Sequence, residues 1–176
     1  MKNILNFNNH LYTYIIIDAA KVKETTTELL IYEPEHRILF QGEDTMMLEE
    51  VAPYLVKLEK DTVFTNWVAE EVYGNDAAIF IVSSNDIDTL ASHLIPYITT
   101  TIDIENTEGM LVNTKAYMRL YDPRVLPNYI ECLEEKEHFF TYIDSILCED
   151  SKNPHNFYRF TYNDTLSKET LVKEKV

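Results

Sequence analysis

Apolar positions along this chain recur with two periods, and the changes of period mark out its elements. Residues 11–17 (LYTYIII) form an unbroken β-branched and aromatic run that reads as a buried strand. Asp18 follows it where a helix N-cap is wanted. Residues 19–31 are predicted helical, with Val22, Thr26, Leu29 and Leu30 on one face, although Thr25, Thr26 and Thr27 lower the intrinsic propensity. Pro34 closes that helix, and a short helix over 45–51 is expected between strands at 36–41 and 54–58.

The next segment is patterned most clearly. Residues 62–73 carry Phe64, Trp67, Val68 and Val72 on one helical stripe, and Gly74 stands where a left-handed C-cap belongs. Residues 77–82 (AAIFIV) read as a strand covered on both faces. Ser84 and Asn85 offer N-caps to a helix whose Ile87, Leu90, Ala91 and Leu94 share a face, and Pro96 is expected to end it. Two extended runs, 98–105 and 110–121, meet across Asn106, Thr107, Glu108 and Gly109 as a hairpin. Asp122 and Pro123 then read as N-cap and first residue of a helix buried through Val125, Leu126, Tyr129, Ile130 and Leu133, with Pro127 costing it a hydrogen bond. A short helix over 134–142 and strands over 143–149 and 157–162 follow. Residues 1–10 read as a loose arm and 163–176 as a polar tail, frayed or weakly helical.

Strands separated by helices predict an α/β fold: a mixed sheet with helices on both faces, one inserted β-hairpin, and a single domain over 11–162. The length of 176 residues suits one domain, and 45% apolar residues supply its core. Twelve tyrosines among 12% aromatic residues give surfaces with apolar bodies and polar tips, as contact faces have.

Charge narrows the function more than it defines it. Fifteen Lys and Arg against thirty Asp and Glu give a net charge of −15, which repels nucleic acid and anionic membrane surfaces. Three glycines, far apart, cannot build a phosphate-cradling loop. Cys132 and Cys148 make neither a zinc site nor a disulfide framework, and together with a start that lacks a signal-peptide pattern they point to reduced thiols and a cytoplasmic protein.

Candidate chemistry is sparse. His10, His36, His93, His138 and His155 show no metal-ligand spacing, and no serine stands in a nucleophile elbow. No catalytic, metal or cofactor site is therefore assigned, and the acidic run Glu131, Glu134, Glu135 and Glu137 reads as a solvated helix face. Glu71 falls one turn beyond Trp67, beside an apolar stripe, and needs a partner there. Arg119 and Arg124 flank Tyr121 and Asp122, and Arg124 at a helix start opposes the dipole unless a carboxylate compensates it. The expectation is that Arg119 or Arg124 pairs with Glu71 or Asp18, tying the hairpin to the earlier helices.

Three strings carry a family resemblance: EEVAPYLVKLEKDTVFTNWVAEEVYG ending at Gly74, IFIVSSNDIDTLASHL beginning at Ile79, and above all MRLYDPRVL beginning at Met118. Together they resemble the adaptor, or effector chaperone, family of type VI secretion systems (Tap/TEC type, domain of unknown function 4123) over residues 12–147. Tyr73 stands where such domains usually carry tryptophan. The resemblance implies a non-enzymatic, cytoplasmic bacterial protein that holds the N-terminal region of a cognate effector and helps load it onto the VgrG spike. It also makes Asp18, Trp67, Glu71, Tyr73, Arg119, Tyr121, Asp122 and Arg124 the structural or partner-binding candidates. The alternatives are an immunity-type protein that blocks a basic toxin, or a small hydrolase using Glu71, Asp18 and a histidine.

Overall fold

The computed structural model describes residues 11–42, 47–163 and 170–175. The arm expected at 1–10, the start of the helix expected at 45–51, and part of the tail expected at 163–176 lie outside the described residues.

The run LYTYIII forms most of β1 (Tyr12–Asp18), whose residues from Thr13 onward are all buried. A strand buried on both faces must lie inside a sheet, and β1 is hydrogen-bonded on both sides. Its neighbours are β3 (Pro53–Leu58) and β4 (Ala78–Ser83). Beyond β3 lies β2 (His36–Ile38); beyond β4 follow β7 (Ser145–Asp150), β8 (Asn153–Asn163) and β9 (Thr170–Lys175). Among the described residues the order β2-β3-β1-β4-β7-β8-β9 makes a seven-stranded sheet, antiparallel in every ladder. A separate two-stranded hairpin, β5 (Thr99–Glu105) and β6 (Leu111–Tyr117), is the insertion expected from the pattern. The α/β class and single domain are as the sequence implied, but the sheet is antiparallel throughout where a mixed one was expected, because neighbouring strands run in opposite directions at every ladder.

Helix α1 (Thr25–Tyr32) is shorter than its predicted span. The Thr25 hydroxyl donates to the Val22 carbonyl at 2.6 Å, so a turn stands where helix was expected, and Leu30 is exposed while Leu29 and Val22 are buried. Residues 49–51 form one 3-10 turn. Helix α2 (Val63–Trp67) is capped by Thr62, which accepts from the Thr65 N–H at 3.2 Å, and continues as a π-helical turn, Val68–Val72. Phe64, Val68 and Val72 are buried as the stripe required.

Helix α3 (Ile87–Ile98) buries Ile87, Leu90, Ala91 and Leu94. Its N-cap is Asp86, accepting from the Thr89 N–H at 2.8 Å, and not Ser84 or Asn85. Nor does Pro96 end it. Buried Leu94 and Ile98 hold the last turn on either side of the proline, and that packing outweighs one lost hydrogen bond. Helix α4 (Leu126–Cys132) starts later than expected and has Pro127 in its first turn, where no intrahelical donor is lost. Helix α5 (Lys136–Phe140) contributes Phe139 and Phe140 to the core. Residues 170–175 pair with β8 as a strand, contrary to the frayed or helical tail expected there.

Candidate functional site

Because β1, β4 and β7 alternate in direction, the end of β1, the approach to β4 and the end of β7 meet at one end of the sheet. The segment 118–125, carrying the MRLYDPRVL residues, folds over that end and brings two buried carboxylates against three cations.

Two aspartates organise it in the same way. Asp18 Oδ1 accepts from the Ala20 N–H at 3.1 Å, and Asp122 Oδ1 accepts from the Arg124 N–H at 2.9 Å. Each is a side chain bonding its own backbone two residues on, the turn that Asp makes when it is not capping a helix. This corrects the N-cap roles expected of both. Residues 118–121 are turn and loop beyond β6, and Arg124 lies ahead of α4 and not on it, so neither arginine occupies the element expected.

The ion pairs follow from burial. The Asp18 side chain is 1% exposed and Asp122 2%, and a buried carboxylate must be compensated. The Arg119 guanidinium donates to Asp18 Oδ2, as the sequence suggested. Arg124 pairs with Asp122 instead, donating Nε to Oδ1 at 2.9 Å and Nη2 to Oδ2 at 2.6 Å. Lys21 Nζ donates to Asp122 Oδ2 at 3.0 Å and to the Asp76 carbonyl at 2.5 Å. Burial by itself would raise the Asp122 pKa; the hydrogen bonds from Arg124 and Lys21 override it and hold the carboxyl well below the usual range. Arg119 and Arg124 are pushed up by the hydrogen bonds to their aspartates.

Glu149, 2% exposed on β7, extends the network: Oε1 accepts from Gly74 N–H at 2.7 Å and Oε2 from Asp76 N–H at 3.2 Å. Burial raises its pKa, and those two N–H groups pull against the rise. Gly74 (φ 88°) and Asp76 (φ 51°) turn the backbone so that both amides point at one carboxylate. Sequence reasoning missed Lys21, Asp76 and Glu149. Lys21 is one of two lysines in a predicted helix with nothing to set it apart from Lys23, and Asp76 contributes backbone groups only, so neither left a pattern to read.

The remaining candidates separate. Tyr121 is buried beside the network, its hydroxyl pKa pushed up to about 12 by burial and by Asp18. Tyr73 stacks on Phe157 with ring centroids 5.5 Å apart, and Trp67 packs against Phe64 at 5.3 Å. Glu71 is exposed, and its carboxylate makes no ion pair among the described residues, so the pairing expected of it does not form. It lies on the outer side of the π-helical turn, whose extra residue per turn rotates it away from the Val68 and Val72 face.

Elsewhere, a cavity of about 750 Å³ opens between α3 and the α4–α5 region, lined by His93, Tyr97, Tyr129, Cys132 and His138. His93 Nε2 lies 2.8 Å from the Phe139 carbonyl, and burial lowers its pKa. No hydrogen bond among the described residues joins a histidine to Asp18 or Glu71. Cys132 is exposed and Cys148 buried, and no disulfide joins them. Among the described residues, no group of three His, Cys, Asp or Glu is arranged to hold a metal ion, and no helix is long and apolar enough to cross a membrane.

An α/β domain whose sheet end is locked by Asp18–Arg119 and Asp122–Arg124 is thus defined. The family model described as Domain of unknown function (DUF4123) matches residues 13–138, and the chain belongs to that family. No curated protein and no solved structure matches it. Strands β7, β8 and β9 follow the matched span, yet β7 pairs directly with β4 and supplies Glu149 to the network.

Proposed function

We propose that this protein is a non-enzymatic adaptor: it binds the N-terminal region of a cognate type VI secretion effector in the bacterial cytoplasm and helps load it onto the VgrG spike. The observation that carries this reading is the internal pairing of the MRLYDPRVL segment. Its charged side chains are spent on Asp18, Asp122 and Lys21, so they fix the shape of a surface. Family membership and the resemblance of the three strings support the same role. A net charge of −15 favours a basic binding partner.

The test is co-expression of the tagged protein with type VI effectors and VgrG proteins from the same genome. Recovery of a complex through the effector's N-terminal region is the expected result. Recovery through the toxin's catalytic domain alone would replace this reading with the immunity one, and recovery of neither partner overturns both.

A further inference from the structure

The β5–β6 hairpin sorts its residues by face. Directly opposed residues in an antiparallel pair share a face, and the register pairs Thr100 with Ala116, Ile102 with Thr114, and Ile104 with Val112. That face carries no charge at all. Ile102, Ile104 and Val112 on it are 44%, 46% and 45% exposed. The other face holds Asp103, Glu105 and Lys115 together with Leu111, 72% exposed at the turn end, and at its base Tyr117 packs on Phe40 with centroids 4.5 Å apart while Lys115 Nζ donates to the Gln41 carbonyl at 2.9 Å. The charged face touches the body of the protein at its base, through Tyr117 and Lys115, and the apolar face stands open to solvent at Thr100, Ile102, Ile104, Val112 and Thr114.

An isolated two-stranded hairpin is marginal in water, and an exposed apolar face on one marks a contact surface. No strand pairs with the other edge of β5 among the described residues, so its edge is open to strand addition. The side chains of an added strand would alternate between the two faces. One set would extend the Ile102 and Ile104 face, and the other would lie beside Asp103 and Glu105. A second copy of this chain is disfavoured, because β5 against β5 sets these carboxylates against each other in a molecule already at −15.

We propose that the free edge of β5 docks an extended segment of another polypeptide in which apolar and basic residues alternate. The identity of that polypeptide as an effector rests on the adaptor reading above; the edge chemistry does not.

The probe is a blocked ten-residue peptide of alternating valine and lysine, compared with its valine–glutamate counterpart and with a scrambled sequence of the same composition. Binding is followed by fluorescence anisotropy and by amide hydrogen exchange. The valine–lysine peptide should bind best and slow exchange over residues 99–105 more than over 111–117. The double variant Ile102→Ser, Ile104→Ser should weaken it roughly tenfold or more, since the lost apolar contact of two side chains exceeds the 1.4 kcal/mol that tenfold represents. The double variant Asp103→Lys, Glu105→Lys should turn the preference toward the glutamate peptide. All four positions are exposed, so circular dichroism melts should match those of the unaltered protein.

Protection outside β5, affinity indifferent to the isoleucines, or a sedimenting dimer that the isoleucine variant dissolves would each overturn the proposal. None of the probes contains an effector sequence. Failed effector capture with successful peptide binding removes only the adaptor reading, and the converse removes only this one.

Discussion

Replacing Asp122 by asparagine tests the central claim about the sheet end. The amide keeps the shape of the carboxyl and one acceptor for the Arg124 backbone N–H. It also sets N–H donors against Lys21 Nζ and Arg124 Nη2, which both donated to Oδ2. More than half of the Arg124 side chain is exposed, and it returns to water at little loss. Lys21 is only 21% exposed and keeps the Asp76 carbonyl but no ion pair. Losing a charge-assisted bond there and leaving the cation without a counter-charge costs about 3 kcal/mol. For a chain of this length that lowers the melting temperature by roughly 6–12 °C. A pH arm separates charge from packing. The folded carboxyl is held below the ordinary range, so on acidification the unfolded chain takes up this proton first. The contribution of Asp122 is present above the ordinary carboxylate pKa and is lost as pH falls toward the folded value. The gap between the protein and its Asp122→Asn variant should accordingly stay constant down to about pH 5 and narrow progressively below it in thermal melts followed by circular dichroism. A drop under about 2 °C, or a gap that does not narrow below about pH 5, would refute the reasoning.

Arg119→Ala removes the guanidinium paired with buried Asp18 and should cost about 2 kcal/mol, read as a urea midpoint lower by about 1 M. Glu149 is a carboxyl whose pKa is raised by burial, so its stabilisation is full below the unfolded value and declines as pH rises through the folded one. Glu149→Gln should therefore abolish a fall in urea stability that sets in as pH rises above the ordinary carboxylate range. Gly74→Ala meets no atom within 4 Å but forces a side chain to φ 88°; an expected loss of about 1 kcal/mol in urea unfolding would be pure backbone strain.

The elements that sequence located best are those with the strongest patterns. β1 and β4 were unbroken apolar runs, and a run that long without polar relief has no stable place except between two other strands. The face of α3 was legible for the same reason: four positions at helical spacing outweighed the signal of Pro96. Misreadings gathered where Asp precedes a turn. Asp18 and Asp122 present the same side-chain acceptor to an N-cap and to a two-residue turn, and local sequence does not separate the two. Glu71 was misplaced because a π-helical turn rotates one residue out of the regular helical count. The ion pairs were half legible: the need to compensate Arg119 and Arg124 was evident, but the choice of partner was not.

What the sequence settled by itself was where apolar surface must be hidden and which charges would need company, because both follow from the water that each residue shuns or requires. Which carboxylate answers which cation, that β7 brings Glu149 to a turn 75 residues earlier, and that the hairpin leaves its uncharged face open to solvent were decided by the tertiary structure alone. Antiparallel pairing brings distant chain segments together at one sheet end, and no periodicity along the chain encodes that distance.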